Sequence, residues 1–246
     1  GKPITKSALF QGYNTVNSEF VNRDPRMSND LLVPLQRYWS FAQPTYYRDW
    51  ANPTTGGLLY NVEFGVFTQT GYAMHKFSQE LMAPFSTDYP AIRLAELYLI
   101  YAEAKFEMDG AISDGDLALS INKLRTRVGM PALTNAFVTN NGLDMRTEIR
   151  RERTVELFGE GFRLDDLRRW KTAETELSQS LRGIKYKGTQ FATDPRWSSL
   201  VFNMDADGFI ILEDASKRRF PQKNYLYPLP LRQVIINPNL VQNAGW

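Results

Sequence analysis

Residues 146–170 read RTEIRRERTVELFGEGFRLDDLRRW and hold seven arginines and six carboxylates. Apolar side chains recur between them: Ile149, Val155, Leu157, Phe158, Phe162, Leu164, Leu167 and Trp170. Such a stretch is compatible with an acid pair for hydrolysis, a patch for nucleic acid, or a lattice of ion pairs. Glu156 and Glu160 are four apart and would share a face on a continuous helix. Carboxylates roughly 5–9.5 Å apart can hydrolyse glycosides. Arg150, Arg151, Arg153, Arg163 and Arg168 lie close by, however, and would keep those acids ionised, which does not suit a general acid. Glu148, Glu152, Glu156, Glu160, Asp165 and Asp166 alternate with the arginines, so no basic face survives for nucleic acid. The reading left in front is structural: Arg–carboxylate pairs that tie helices to loops.

Other candidates for chemistry are sparse. His75 is the only histidine and there is no cysteine, so disulfides, thiol catalysis and histidine clusters are excluded. The G-x-S-x-G elbow, the P-loop and the dinucleotide fingerprint are all missing. DADG at 205–208 begins like a calcium loop, but the full pattern with its later Glu is not met. A plain turn is the better reading; no cofactor is expected, and structural calcium would need a looser oxygen shell.

The segment RYWSFAQPTYYRDWANPTTGG (37–57) is the best ligand candidate. Sugars offer an apolar C–H face and an edge of hydroxyls. An exposed ring stacks on the first, and Asn, Asp or Arg bonds the second. Tyr46, Tyr47 and Trp50 stand beside Arg48, Asp49 and Asn52, with Trp39 as a further ring. Core packing is the competing reading for any aromatic. The Pro/Gly-rich loop setting favours contact with a ligand. Trp170, Trp197 and Trp246 read as packing residues.

These residues need elements to hold them. Residues 1–90 are punctuated by Pro and Gly and predict loops, with short strand-like runs at 58–67 and 72–77. From residue 91 the texture becomes helical. The spacing of Leu94, Leu97, Tyr98, Tyr101, Ala102 and Ala104 predicts one apolar helix face, ended by Asp109-Gly110. Leu117, Ile121, Leu124 and Val128 predict a second helix, ended by Gly129 and Pro131. The two would form an antiparallel hairpin like one tetratricopeptide unit, which cannot bury its outer faces alone. Further helices are expected at 143–158, 164–171 and 172–181, a short strand at 208–212, and an extended, well-packed tail at 225–246. The chain thus divides into a loop-rich aromatic segment, 1–90, and a helical region, 91–246, expected to form one fold. That fold is mostly α: a tetratricopeptide-like helical framework with a loop-rich, partly β ligand-binding region. The chain has 246 residues and a net charge of +2, with 43% hydrophobic and 23% charged residues. That balance favours neither polyanions nor anionic membranes.

Four pieces in order carry a family resemblance: RLAELYLIYAEA (93–104), INKLRTRVGMPAL (121–133), IRRERTVELFGEGFRLDDLRRWK (149–171) and YLYPLPLRQVIINPNLVQNAGW (225–246). NRDPRM (22–27) fits ahead of them. Together they resemble the C-terminal half of the SusD/RagB family of surface glycan-binding lipoproteins. The resemblance implies a non-catalytic, outer-membrane, cell-surface lipoprotein. It would bind a polysaccharide, an oligosaccharide or another nutrient for import through a SusC-like TonB-dependent transporter. Family members are longer, with a lipid-bearing Cys and a first set of repeat helices. The resemblance therefore implies a C-terminal portion whose first hairpin packs on helices supplied from elsewhere, including another chain. The family's aromatic contacts are not placed by any motif here. Two alternatives are a helical-repeat scaffold that binds protein in its hairpin grooves, and a carbohydrate-active enzyme using paired acids.

Overall fold

The computed structural model describes residues 2–33, 37–40, 43–49, 69–74, 76–77, 90–195 and 198–246. Helix α1 (Pro25–Asp30) starts at a strong signal: Asp24 caps it by accepting from the Arg26 N–H, and proline occupies the first turn. The backbone of residues 37–49 forms an antiparallel pair, β1 (Arg37–Ser40) and β2 (Gln43–Asp49), with Trp39 opposite Tyr47. This corrects the loop expectation over that part of the aromatic segment. The run 58–67 lies outside the described residues. In 72–77, Met74 bridges Leu31 and a turn follows, so no strand forms.

Helix α2 (Leu94–Asp109) ends where expected, with Gly110 left-handed at φ +68°. The second expected helix is broken in two, α3 (Asp114–Leu119) and α4 (Ile121–Arg127). Ser120 sits between them at φ −126°, ψ −100°, and its hydroxyl donates to the Asp116 carbonyl at 2.6 Å. Such a side-chain bond competes with the helical ladder. A short α5 (Asn135–Asn140), capped by Thr134, was not foreseen. Helix α6 (Met145–Glu156) is capped by Asp144 and is followed by left-handed Gly159 and Gly161. Next come α7 (Arg163–Arg169) and the single turn α8 (Ala173–Glu176), shorter than the expected 172–181. Strand β3 (Leu181–Lys185) pairs antiparallel with β4 (Phe209–Glu213), and α9 (Gln190–Thr193) lies between them in sequence. The tail holds a helix, α10 (Leu231–Ile236), where extended chain was expected. It is also poorly covered, since Leu231, Ile235, Ile236 and Val241 are exposed.

The main core joins Leu99 and Ala102 of α2, Leu117 of α3, Ile121 and Leu124 of α4, and Ile149 of α6. Its use of α2 keeps Ala102 and the partly buried Tyr98 from the expected face and corrects the rest. Ala95, Leu99, Ala102 and Glu103 are buried, whereas Leu94 (61%), Leu97 (52%), Tyr101 and Ala104 are exposed. Two alanines let α6 approach α2 closely, and this outweighs the bulkier stripe. A second cluster packs Val16 and Tyr72 against Ile184, Tyr186, Phe191 and Ile210. Here a Cβ on Gly183 would lie 2.4 Å from the Thr70 carbonyl oxygen, which also accepts from the Ile184 N–H at 2.7 Å. Gly183→Ala is therefore expected to cost about 1–3 kcal/mol, read as a lower urea midpoint at unchanged slope. An unchanged midpoint would contradict that packing.

Candidate functional site

The charged stretch resolves into a buried lattice whose centre is Glu156, at the C-terminal end of α6. Its side chain is 2% exposed. Arg26 of α1 donates to it at 3.0 Å, Arg93 at the head of α2 at 3.1 Å, and Arg127 of α4 at 2.9 Å. One turn earlier, Glu152 accepts from Arg125 at 3.2 Å. Arg26 Nη1 also lies 2.7 Å from Glu152 Oε1, a charge contact without the alignment of a hydrogen bond. Just past the helix, Glu160 receives both prongs of Arg93, at 2.8 and 2.7 Å, and the Lys76 ammonium at 2.9 Å. Three carboxylates in a row thus hold α1, α2 and α4 onto α6.

A second branch continues the lattice. Arg153 Nε donates to both oxygens of Asp166 in α7 at 2.9 Å, and Arg169 donates to Asp166 at 2.8 Å. Arg169 also grips Glu103 of α2, which accepts from the Trp170 indole N–H at 2.6 Å. Trp170 is thereby a packing residue with its polar edge satisfied, and the Arg150 and Arg169 guanidiniums lie over its ring at 5.0 and 4.9 Å. Sequence reasoning found the carboxylates but not most of their partners. Arg26, Lys76, Arg93, Arg125, Arg127 and Glu103 lie outside the stretch. A signal was present for five of them, because all but Lys76 sit inside the short motifs quoted from 22–27, 93–104 and 121–133.

The electrostatics disfavour acid–base work. Burial pushes Glu160 up, but hydrogen bonds from Arg93 and Lys76 outweigh it, and its carboxyl titrates below the ordinary range. A general acid needs the opposite shift. Glu156 and Glu160 also do not share a continuous helix, since α6 ends at Glu156 and Gly159 turns the chain at φ +75°. The arginines that bond Glu156 are Arg26, Arg93 and Arg127, and Glu160 is bonded by Arg93 and Lys76, not by the neighbours in sequence. The DADG segment closes as a turn: the Gly208 N–H bonds the Asp205 carbonyl at 3.0 Å, and Arg182 lies 2.5 Å from the Asp205 carboxylate. Among the described residues no group of three or more His, Cys, Asp or Glu is placed to hold a metal.

Of the expected ligand contacts, Trp39 lies on β1, and Tyr46, Tyr47, Arg48 and Asp49 lie on β2. Arg48 pairs with Tyr38 and Asp49 with Arg37 along the ladder. The backbone therefore brings Trp39 next to Tyr47 and places the other three on the adjoining strand. Trp50, Asn52, His75 and Trp197 lie outside the described residues. No helix among the described residues is long and apolar enough to cross a membrane.

The fold is that of a mostly helical, repeat-like framework, and comparison places it in a family. The model of the SusD family matches residues 5–246, and the chain belongs to that family. A SusD-like carbohydrate binding protein from Bacteroides fragilis NCTC 9343 superposes with a TM-score of 0.63 at 26% identity. The match covers 95% of this chain and 47% of that one. A SusD-like protein from the same organism gives a TM-score of 0.61 at 23% identity, covering 98% and 42%. The chain thus spans a little under half the length of these relatives. No curated protein matches it.

Two outcomes follow from the lattice. Glu156→Ala strands three guanidiniums and is expected to cost roughly 3–5 kcal/mol in urea unfolding. Arg127→Ala, at a side chain 56% exposed, should cost at most about 1 kcal/mol. Equal losses would contradict a buried hub. The second outcome concerns pH. Burial pushes Glu103 up, yet the hydrogen bonds from Arg169 and Trp170 prevail and its carboxyl is lowered. A lowered carboxylate adds stability that is present above its unfolded pKa and is lost as pH falls through the folded one. Glu103→Gln should therefore lower the melting temperature at pH 7 and flatten its decline on the acid side. An acid limb as steep as in the parent would contradict this.

Proposed function

We propose that the chain is part of a non-catalytic, cell-surface glycan-binding protein. It would deliver polysaccharide or oligosaccharide to a SusC-like, TonB-dependent transporter in the outer membrane. The observation that carries this reading is membership of the SusD family over residues 5–246. The B. fragilis relative described as a carbohydrate binding protein supports it. Chemistry supports it too: Glu152, Glu156, Glu160 and Asp166 of the charged stretch are bonded to arginines, which leaves recognition to rings and amides. The ligand contacts are assigned to the hairpin segment, with Tyr46, Tyr47 and Trp50 as stacking platforms and Arg48, Asp49 and Asn52 for hydroxyls. Trp39, opposite Tyr47 in the backbone register, is a further candidate ring. Cell-surface anchoring through a lipid on a longer polypeptide belongs to the same proposal.

The exposed apolar face of α2, at Leu94, Leu97, Ile100 and Tyr101, favours a companion reading in which further polypeptide packs against this helix. In the relatives, more than half the chain lies beyond the part matched here.

Affinity electrophoresis of the chain through gels holding soluble polysaccharides tests the main reading. Retardation by at least one glycan, with no release of reducing ends, is expected. Trp50→Ala should weaken it by about tenfold or more, as loss of an aromatic anchor does, with unfolding unchanged. Glycan cleavage that depends on Glu156 or Glu160 would overturn the proposal, as would free migration in every gel.

A further inference from the structure

A cavity of about 520 Å³ opens on the far side of the lattice from Glu160, between the first ten residues, the 22–26 segment, α4 and α6. Ile4, Leu9, Met130, Phe137 and Val155 give it an apolar lining. Its charged rim is unbalanced. Lys2, Arg23, Arg26, Arg125 and Arg151 line it; Arg151 is held by Glu148 and Arg26 also by Glu156 from outside the lining, and the two acids within it are Asp24 and Glu152. Both acids are already committed: Asp24 to Arg26 at 2.7 Å, and Glu152 to Arg26 and Arg125. Arg125 is 1% exposed, and its guanidinium lies 6.0 Å from the Phe137 ring centre. Its Nε and Nη1 donate to the Pro131 carbonyl and to Glu152, whereas its Nη2, also buried, has no acceptor among the described residues. A buried guanidinium N–H without an acceptor is costly. Burial also lowers the Arg125 pKa, which agrees with a cation short of counter-charge.

We propose that this cavity binds a small carboxylate carrying an apolar ring or branched chain. The acid neutralises the surplus of arginine beside Arg125 and Arg23, and the apolar body fills the space between Met130 and Phe137. Size fits, since cavities of about 300–1,000 Å³ hold small organic ligands. Bidentate guanidinium–carboxylate pairing supplies the orientation. None of the described lining residues belongs to the aromatic segment, and the proposal does not depend on glycan recognition.

Calorimetric titration of the chain with benzoate, and in parallel with the neutral isostere benzamide, tests it at low salt. Saturable one-to-one binding of benzoate is expected, with benzamide weaker by about tenfold or more, because a charged pair is replaced by a neutral one. Met130→Trp, which fills the cavity without touching the ion pairs, should abolish benzoate binding. Leu9→Trp serves the same purpose from the exposed rim if Met130→Trp fails to fold. Equal binding of the two probes, no benzoate binding at millimolar concentration, or full binding by a folded cavity-filled variant would each overturn the assignment.

Discussion

A carboxylate buried at the end of a helix cannot stay charged by itself. Desolvation of one such ion costs several kcal/mol unless cations and hydrogen bonds return that energy. Glu156 meets this constraint with three arginines from three segments, and Glu152 and Glu160 repeat the arrangement on either side. Arg26, Arg93 and Arg127 therefore bring α1, α2 and α4 to α6 as guanidiniums, whereas α7 meets Arg153 of α6 with the Asp166 carboxylate. The apolar core beneath, built on Leu99, Ala102, Leu117, Ile121 and Ile149, supplies most of the burial. Arg93 shows the division of labour. No side chain caps the head of α2 there; instead the residue before the helix is held by Glu156 and Glu160.

This constraint also explains what could be read from the sequence. The helices at 94–109, 145–156 and 163–169 were legible because helix formers dominate them and glycine stops follow the first two. The acids of the lattice were legible as a composition anomaly. Their partners were not, because Arg26, Arg93, Arg125 and Arg127 lie 27 to 130 residues from the acids they bond, and nothing local marks a long-range pair. The buried face of α2 was read only in part. Ala102 and the partly buried Tyr98 were on the expected face, but Leu94, Leu97 and Tyr101 are exposed, and Ala95 and Leu99 take their place in the core. Ser120 split one expected helix through a single hydroxyl bond, and α10 formed in a proline-bounded tail where propensity was weak. Within the candidate ligand segment, residue types were legible and backbone pairing was not: β1 and β2 came from a stretch that reads as a loop.

The same division separates framework from recognition. Arginine–carboxylate pairs are directional and slow to rearrange, which suits a passive scaffold more than a reacting site. The acids that superficially resemble a hydrolytic pair are bonded to arginines on several sides. The aromatic hairpin, by contrast, carries rings with amide and charged neighbours along its strands. A member of the SusD family built this way holds its shape through α6, and the proposed ligand segment lies outside that lattice.

The most direct measurement is a double-mutant cycle across Arg93 and Glu160, 67 residues apart, using Arg93→Met and Glu160→Gln in urea unfolding. If buried ion pairs fix the helical layers, the two losses will fall short of additivity by about 1–3 kcal/mol. Strict additivity, with each variant losing only what an exposed pair would lose, would contradict the account.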